Sequence, residues 1–132
     1  MTWTMKEFVE LTGLSEHTLR YYEKEGLFKV DRLGNNRVFS EENKLWIESI
    51  THLKETGMTI ADIKVFCDLG HIGDSTIAER LSLLINHRQA VIAQMQKLQE
   101  GLDFLDYKIH LYEGNIDQCF QEKKEGNNDA GK

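Results

Sequence analysis

The run Thr18-Leu19-Arg20-Tyr21-Tyr22-Glu23, followed at once by Lys24-Glu25-Gly26-Leu27, joins a short apolar seam to side chains that seek phosphate. A guanidinium, a phenol and a hydroxyl within one helical turn can bond to phosphate oxygens, and an adjacent imidazole, His17, can reach a base edge. The punctuation around this run fits a helix-turn-helix. An apolar-periodic stretch (Met5, Phe8, Val9) breaks at Thr12-Gly13, and Ser15 stands where the N-cap of a second helix belongs. Leu14, Leu19 and Tyr22 then face the first helix, leaving Glu16, His17, Thr18, Arg20 and Tyr21 on the outer face. That composition suits a major groove of DNA, Glu16 excepted.

The elements that must position these groups follow along the chain. Gly26 reads as the residue that ends the second helix, and Val30 to Phe39 as two extended pieces around Gly34-Asn35-Asn36, a β-hairpin wing. Ser40 caps a third helix whose apolar side chains Trp46, Ile50 and Leu53 recur until Gly57. Thr59 caps a fourth, with Ile60, Ile63, Phe66 and Cys67 inward, and Gly70 to Gly73 reads as a connector. From about Asp74 to Glu113, Ile77, Leu81, Leu84, Arg88, Val91, Met95, Leu98, Leu102, Leu105, Ile109 and Tyr112 follow alternating steps of four and three. This is a heptad seam on a helix of roughly 55 Å, and one apolar stripe of that length needs a partner helix, most simply a second copy. Leu84, Val91, Met95, Leu98, Leu102, Leu105 and Ile109 are the expected dimerisation residues.

Composition sets limits on this reading. The 132 residues, 40% apolar and without proline, build one modest all-helical domain with an extension, leaving no room for a separate catalytic domain. No enzyme is expected: Cys67 and Cys119 have no general base or oxyanion site in view. Sixteen basic residues against 22 acidic give a net charge of −6, unusual for a nucleic-acid binder. Residues 1 to 40 are neutral, however, so non-specific affinity should be weak, with a shallow salt dependence. Neither an apolar run long enough for a signal or a membrane span nor a cysteine framework is visible, and the cytoplasm is the expected location, with no membrane partner. The five histidines lack metal-site spacing, so neither a metal nor another cofactor is expected.

TLRYYEKEGL, RLGNNRVF (Arg32 to Phe39) and LKETGMTIADIK, in this order and spacing, resemble the MerR family of transcriptional regulators over nearly the whole chain. The resemblance implies an all-α fold with a small β wing: a winged helix-turn-helix DNA-binding domain over 1–70, an antiparallel coiled-coil dimerisation helix over 74–113, and a tail over 114–132, partly disordered on composition. It implies a homodimer on a pseudo-palindromic site in double-stranded promoter DNA, distorting the promoter so that RNA polymerase can engage it. Arg37 matches a phosphate-contacting arginine of the family wing. Phe39 stands where a tyrosine is common, and Lys29 where a proline is.

The resemblance also bears on the signal. Metal-sensing members carry a cysteine pair after the long helix, where this chain has only Cys119. Drug-sensing members append a large domain, which the short tail cannot supply. The tail and the stretch LDYKIHLYE are most similar to the branch that answers aldehydes and related electrophiles, but His52 occupies the place of that branch's third-helix cysteine. Cys67 and Cys119 remain candidate redox-sensing thiols, and a small-molecule effector a candidate partner. The competing expectation is a coiled-coil interaction scaffold without specific DNA binding, which explains the acidity and the seam but not Arg37 and the wing.

Overall fold

The computed structural model describes residues 1–114. The described residues fall into two units, Met1–Val91 and the part of the chain from Ile92 onward.

In the first unit, a short strand β1 (Thr2–Trp3) leads into α1 (Met5–Thr12). Thr4 and Glu7 form a reciprocal capping box, the Thr4 hydroxyl accepting from the Glu7 amide and the Glu7 carboxylate from the Thr4 amide. These hydrogen bonds to Thr4 hold the Glu7 carboxyl below its ordinary pKa. Gly13 ends the helix at φ 74°, and its amide bonds back to the Val9 carbonyl. Ser15 caps α2 (Glu16–Lys24), as its position predicts, and Gly26 follows at φ 79°. The wing is β2 (Asp31–Leu33) and β3 (Asn36–Ser40), joined through Gly34 at φ 66° with Asn35 at negative φ, the sign pattern of a type II′ hairpin turn.

β1 is an addition to the expected two-stranded wing. It pairs antiparallel with β3, Trp3 opposite Phe39, so the sheet has the order β1-β3-β2. The wing is thereby hydrogen-bonded to the start of the chain.

Ser40 and Asn43 form a second reciprocal cap at the start of α3 (Glu41–Glu55), and Asn43 also donates to the Lys29 carbonyl at 2.9 Å. That buried amide ties the base of the wing to α3 with its polar groups paired. Thr59 caps α4 (Ile60–Ile72). Gly70 is therefore not in a connector but inside α4. The indole of Trp46 lies where a Gly70 side chain would be, a built Cβ coming within 2.2 Å of Trp46 Cη2. The glycine serves helix-helix packing here, not a chain break.

The core of this unit joins Phe8, Leu19, Tyr22, Leu27, Phe28, Phe39, Ile47, Ile50, Met58, Ile63 and Cys67. Phe8 and Phe39 stack at 4.3 Å with planes 8° apart, worth about 0.5–1.5 kcal/mol beyond their burial. A phenylalanine at position 39 suits this fully apolar seat. Burial raises the Tyr22 phenol pKa, and neighbouring Tyr21 adds to the effect. A 3₁₀ turn, Asp74–Thr76, then leads into α5 (Ile77–Gly114).

Within the second unit, the α5 side chains Met95, Leu98, Leu102, Leu105, Ile109 and Tyr112 are all half-exposed or more, and Leu98 reaches 74%. Leu81, Leu84 and Ile85 are likewise exposed on the portion of α5 in the first unit, while Val91 is half-buried. Arg88, the charge within the seam, is exposed.

Candidate nucleic-acid interface

The outer face of α2 is built from its N-cap upward. The Ser15 hydroxyl accepts from the Thr18 amide at 3.1 Å and donates to Thr18 Oγ1 at 3.0 Å. Thr18 is thus held in one orientation with its own hydroxyl proton free to turn toward an acceptor outside the helix. One turn on, Arg20 Nε donates to Glu16 Oε1 at 3.0 Å, and both side chains are more than half exposed. An exposed pair of this kind is worth about 0.2–1 kcal/mol, little enough for a stronger acceptor to take the guanidinium from Glu16. Tyr21 is 41% exposed, and His17 is exposed beside it. Four of the five expected contact residues, His17, Thr18, Arg20 and Tyr21, therefore share the first turns of one helix.

Arg37 is arranged differently. Its guanidinium Nε donates to Glu23 Oε1 at 2.8 Å, and both side chains are about four-fifths buried. Across the hairpin, Arg32 stands directly opposite Arg37, and Arg32 Nη2 lies 3.7 Å from the same carboxylate oxygen. Two arginines at directly facing positions repel. Glu23, contributed by α2, neutralises one of them and anchors the wing to the recognition helix.

Arg32 is the more exposed of the two, and it and Glu23 are the members of this cluster that residue-by-residue reading of the sequence did not single out. The signal was present: a two-residue turn at Gly34-Asn35 puts Leu33 opposite Asn36 and Arg32 opposite Arg37.

Cys67 is fully buried in the core, and burial pushes its thiol up to about 12, with the neighbouring Asp68 adding and Lys64 opposing. A thiol so placed is not ionised near neutrality, which works against reactivity. Cys119 lies outside the described residues. His52 is exposed on α3, with its ring 3.6 Å from the Glu55 carboxylate, and it lines a cleft of about 150 Å³ with Leu11, Thr12, Lys44, Ile47, Glu48 and Thr51. Among the described residues no cluster of three or more histidine, cysteine or acidic side chains could hold a metal, and no helix is long and apolar enough to cross a membrane.

Comparison with known proteins decides the family. Residues 3–69 match the model of the MerR HTH family regulatory protein, and residues 46–107 that of the MerR DNA-binding region. The chain belongs to the MerR family. An uncharacterised HTH-type transcriptional regulator of Haemophilus influenzae is 42% identical over 116 residues, covering 86% of this chain and 85% of its own.

Among solved structures of MerR regulators, HiNmlR, described as lacking the sensor domain and bound to promoter DNA, is 43% identical with a TM-score of 0.78, over 86% of this chain and 91% of that one. A MerR regulator from Listeria monocytogenes is 30% identical with a TM-score of 0.81, over 97% and 98%. This MerR protein is accordingly an HTH-type transcriptional regulator with a winged helix-turn-helix and a long C-terminal helix.

Proposed function

We propose that this regulator acts as a homodimer that binds a pseudo-palindromic promoter site and distorts the DNA between its half-sites, making promoter geometry legible to RNA polymerase. The observation that carries the reading is the set of exposed Arg20 and Tyr21 and half-buried Thr18 on one face of α2, with the wing locked beside it through Glu23. Arg20 and Arg32 hold phosphates, Thr18 and Tyr21 add hydrogen bonds to the backbone, and His17 faces a base edge. Arg37 serves the wing's position more than it serves a phosphate.

The dimer reading rests on α5. Leucine, methionine and isoleucine side chains exposed at heptad spacing do not remain in water where a second copy can cover them. An antiparallel pair of such helices carries two DNA-binding units on one two-fold axis, matching a dyad in the operator. HiNmlR, a MerR family regulator described as lacking the sensor domain and bound to promoter DNA, supports the promoter-binding reading. Burial of Cys67 argues against that thiol as the direct sensor, and the α1/α3 cleft beside His52 is the candidate seat for a small effector.

Footprinting on the DNA flanking the protein's own coding sequence tests this. The expected result is a protected dyad with hypersensitive bases at its centre. Absence of protection even at low salt would favour the protein-interaction scaffold instead.

A further inference from the structure

The turn between α4 and α5 is fastened more heavily than a connector requires. Gly73, which ends α4, adopts φ 116° and ψ −158°, a region open to glycine. Thr76, only 5% exposed, turns its hydroxyl back onto α4, with Oγ1 2.6 Å from the Leu69 carbonyl and 2.8 Å from that of Gly73. From the first turn of α5, Arg80 spreads its guanidinium over the corner. Its Nε donates to Thr76 Oγ1 at 3.0 Å and its Nη2 to the Gly73 carbonyl at 3.1 Å. The Thr76 amide also donates to the Gly73 carbonyl, at 3.0 Å. One arginine thus grips a side chain and a carbonyl on two sides of the bend, both uncharged. The planar guanidinium presents these two donors in one fixed fork, where the ammonium of a lysine is a point charge on a flexible stem without that fixed geometry.

We propose that the Arg80–Thr76 clasp is a positioning device for operator recognition, setting the direction in which α5 leaves the DNA-binding unit and hence the half-site spacing that a dimer accepts. This rests on the dimeric, dyad-binding reading given above. The lever is the first part of α5: from Arg80 to Val91, near the middle of the seam, is roughly 16 Å at about 1.5 Å per residue. A tilt of about 12° at the corner moves Val91 by about 3.4 Å, one base-pair step. A corner left to flex by that amount cannot distinguish neighbouring spacings. A clasped one can, and neither Arg80 nor Thr76 needs to approach DNA to impose the difference.

The test uses the full chain and a two-part site selected by the wild-type protein from randomised duplex DNA, remade with its spacer shortened or lengthened by one base pair. Arg80→Lys keeps the charge and loses the fork, Thr76→Val loses the hydroxyl, and Thr76→Ser restores it. The expected result is a loss of about fivefold or more in preference for the selected spacer in Arg80→Lys and Thr76→Val, with Thr76→Ser close to wild type. Circular dichroism and melting temperature identify variants that fail through unfolding, and Arg80→Lys, the mildest, then carries the test. An unchanged spacer profile, or equal weakening on every spacer, would overturn the assignment while leaving the dimeric reading intact. Selection of only a single half-site by the wild type would remove both.

Discussion

Glu23 on α2 and Arg37 on β3 meet at 2.8 Å, with Arg32 3.7 Å from the same carboxylate oxygen. The recognition helix and the wing are thereby held together by a single acid placed between two facing arginines. Simple charge counting says that removing Glu23 from a DNA-facing surface should tighten binding. The geometry says the reverse, because the arginines then repel and the wing loses its anchor. Glu23→Gln is expected to cost about 1–3 kcal/mol of stability, the scale of a largely buried charged hydrogen bond, and to weaken specific DNA binding. Denaturant unfolding and binding titrations at one salt concentration check it. Tighter specific binding would show that the carboxylate opposes DNA more than it positions the wing.

Arg20 and Glu16 form the opposite case, an exposed pair whose acid, on the proposed reading, would compete with DNA for the guanidinium. Glu16→Gln should raise DNA affinity about 1.4- to fivefold, matching the roughly 0.2–1 kcal/mol of such a pair. Arg20→Ala should weaken binding and make the slope of log K against log salt shallower by about 0.9, the signature of one lost phosphate contact. A salt titration of both variants separates them. An unchanged slope in Arg20→Ala would mean that this arginine does not touch a phosphate.

Cys67 gives a pH prediction whose sign is fixed by its burial. Its thiol ionises at about 12 in the folded protein, against an ordinary value of 9.0. The unfolded chain therefore loses this proton first as pH rises, and the folded state holds it. The associated stability is fully present below pH 9 and is lost between pH 9 and about 12, at about 1.4 kcal/mol per pH unit for one proton. Unfolding measured from pH 8 to 10.5 should show this slope in wild type and its reduction in Cys67→Ala. Native protein at pH 8 should also react slowly with a thiol reagent at this site. Fast, complete labelling of Cys67 without unfolding would reinstate it as a sensor.

The local punctuation of the fold was legible because each signal is a short-range event. Ser15, Ser40 and Thr59 cap helices through hydrogen bonds three residues away, and Gly13, Gly26 and Gly57 take positive φ at helix ends. The contacts hidden from such a reading are long-range. β1 is two residues long, too short for alternation to mark it, and exists because β3 offers an edge. Glu23 and Arg37 are 14 residues apart and look like two ordinary surface charges until the hairpin closes. Gly70 carries the signature of a chain break, yet Trp46, on another helix, is what requires it.

That last contact is itself testable. In an open helix, alanine is better than glycine by about 0.8–1.0 kcal/mol, so propensity alone predicts that Gly70→Ala stabilises the protein. The new methyl would fall 2.2 Å from the Trp46 ring, and either the indole or α4 must shift. Overpacking of this kind costs about 1–3 kcal/mol and outweighs propensity. Gly70→Ala should lower stability and red-shift Trp46 fluorescence as the indole is displaced toward water, read with Trp3 replaced by phenylalanine. A gain in stability would mean that the indole moves aside without loss.

The seam on α5 predicts a separation between assembly and folding. Leu98 is 74% exposed in the single chain, so Leu98→Glu removes nothing from the core of the first unit and should leave the packing of Phe8, Phe39 and Ile50 unchanged. In a two-helix seam, the same substitution buries a carboxylate from each copy against leucine, and desolvation of those charges opposes association. Light scattering should therefore find a monomer, against the dimer expected of the wild type. Circular dichroism should find some loss of α5 helix, since a long helix with one apolar stripe draws much of its stability from packing. DNA binding should fall further than in Arg20→Ala, because a dimer grips two half-sites at once and a monomer forfeits the whole of that effective concentration. A Leu98→Glu protein that remains dimeric with full helicity would place the contact between copies on some other face of the chain.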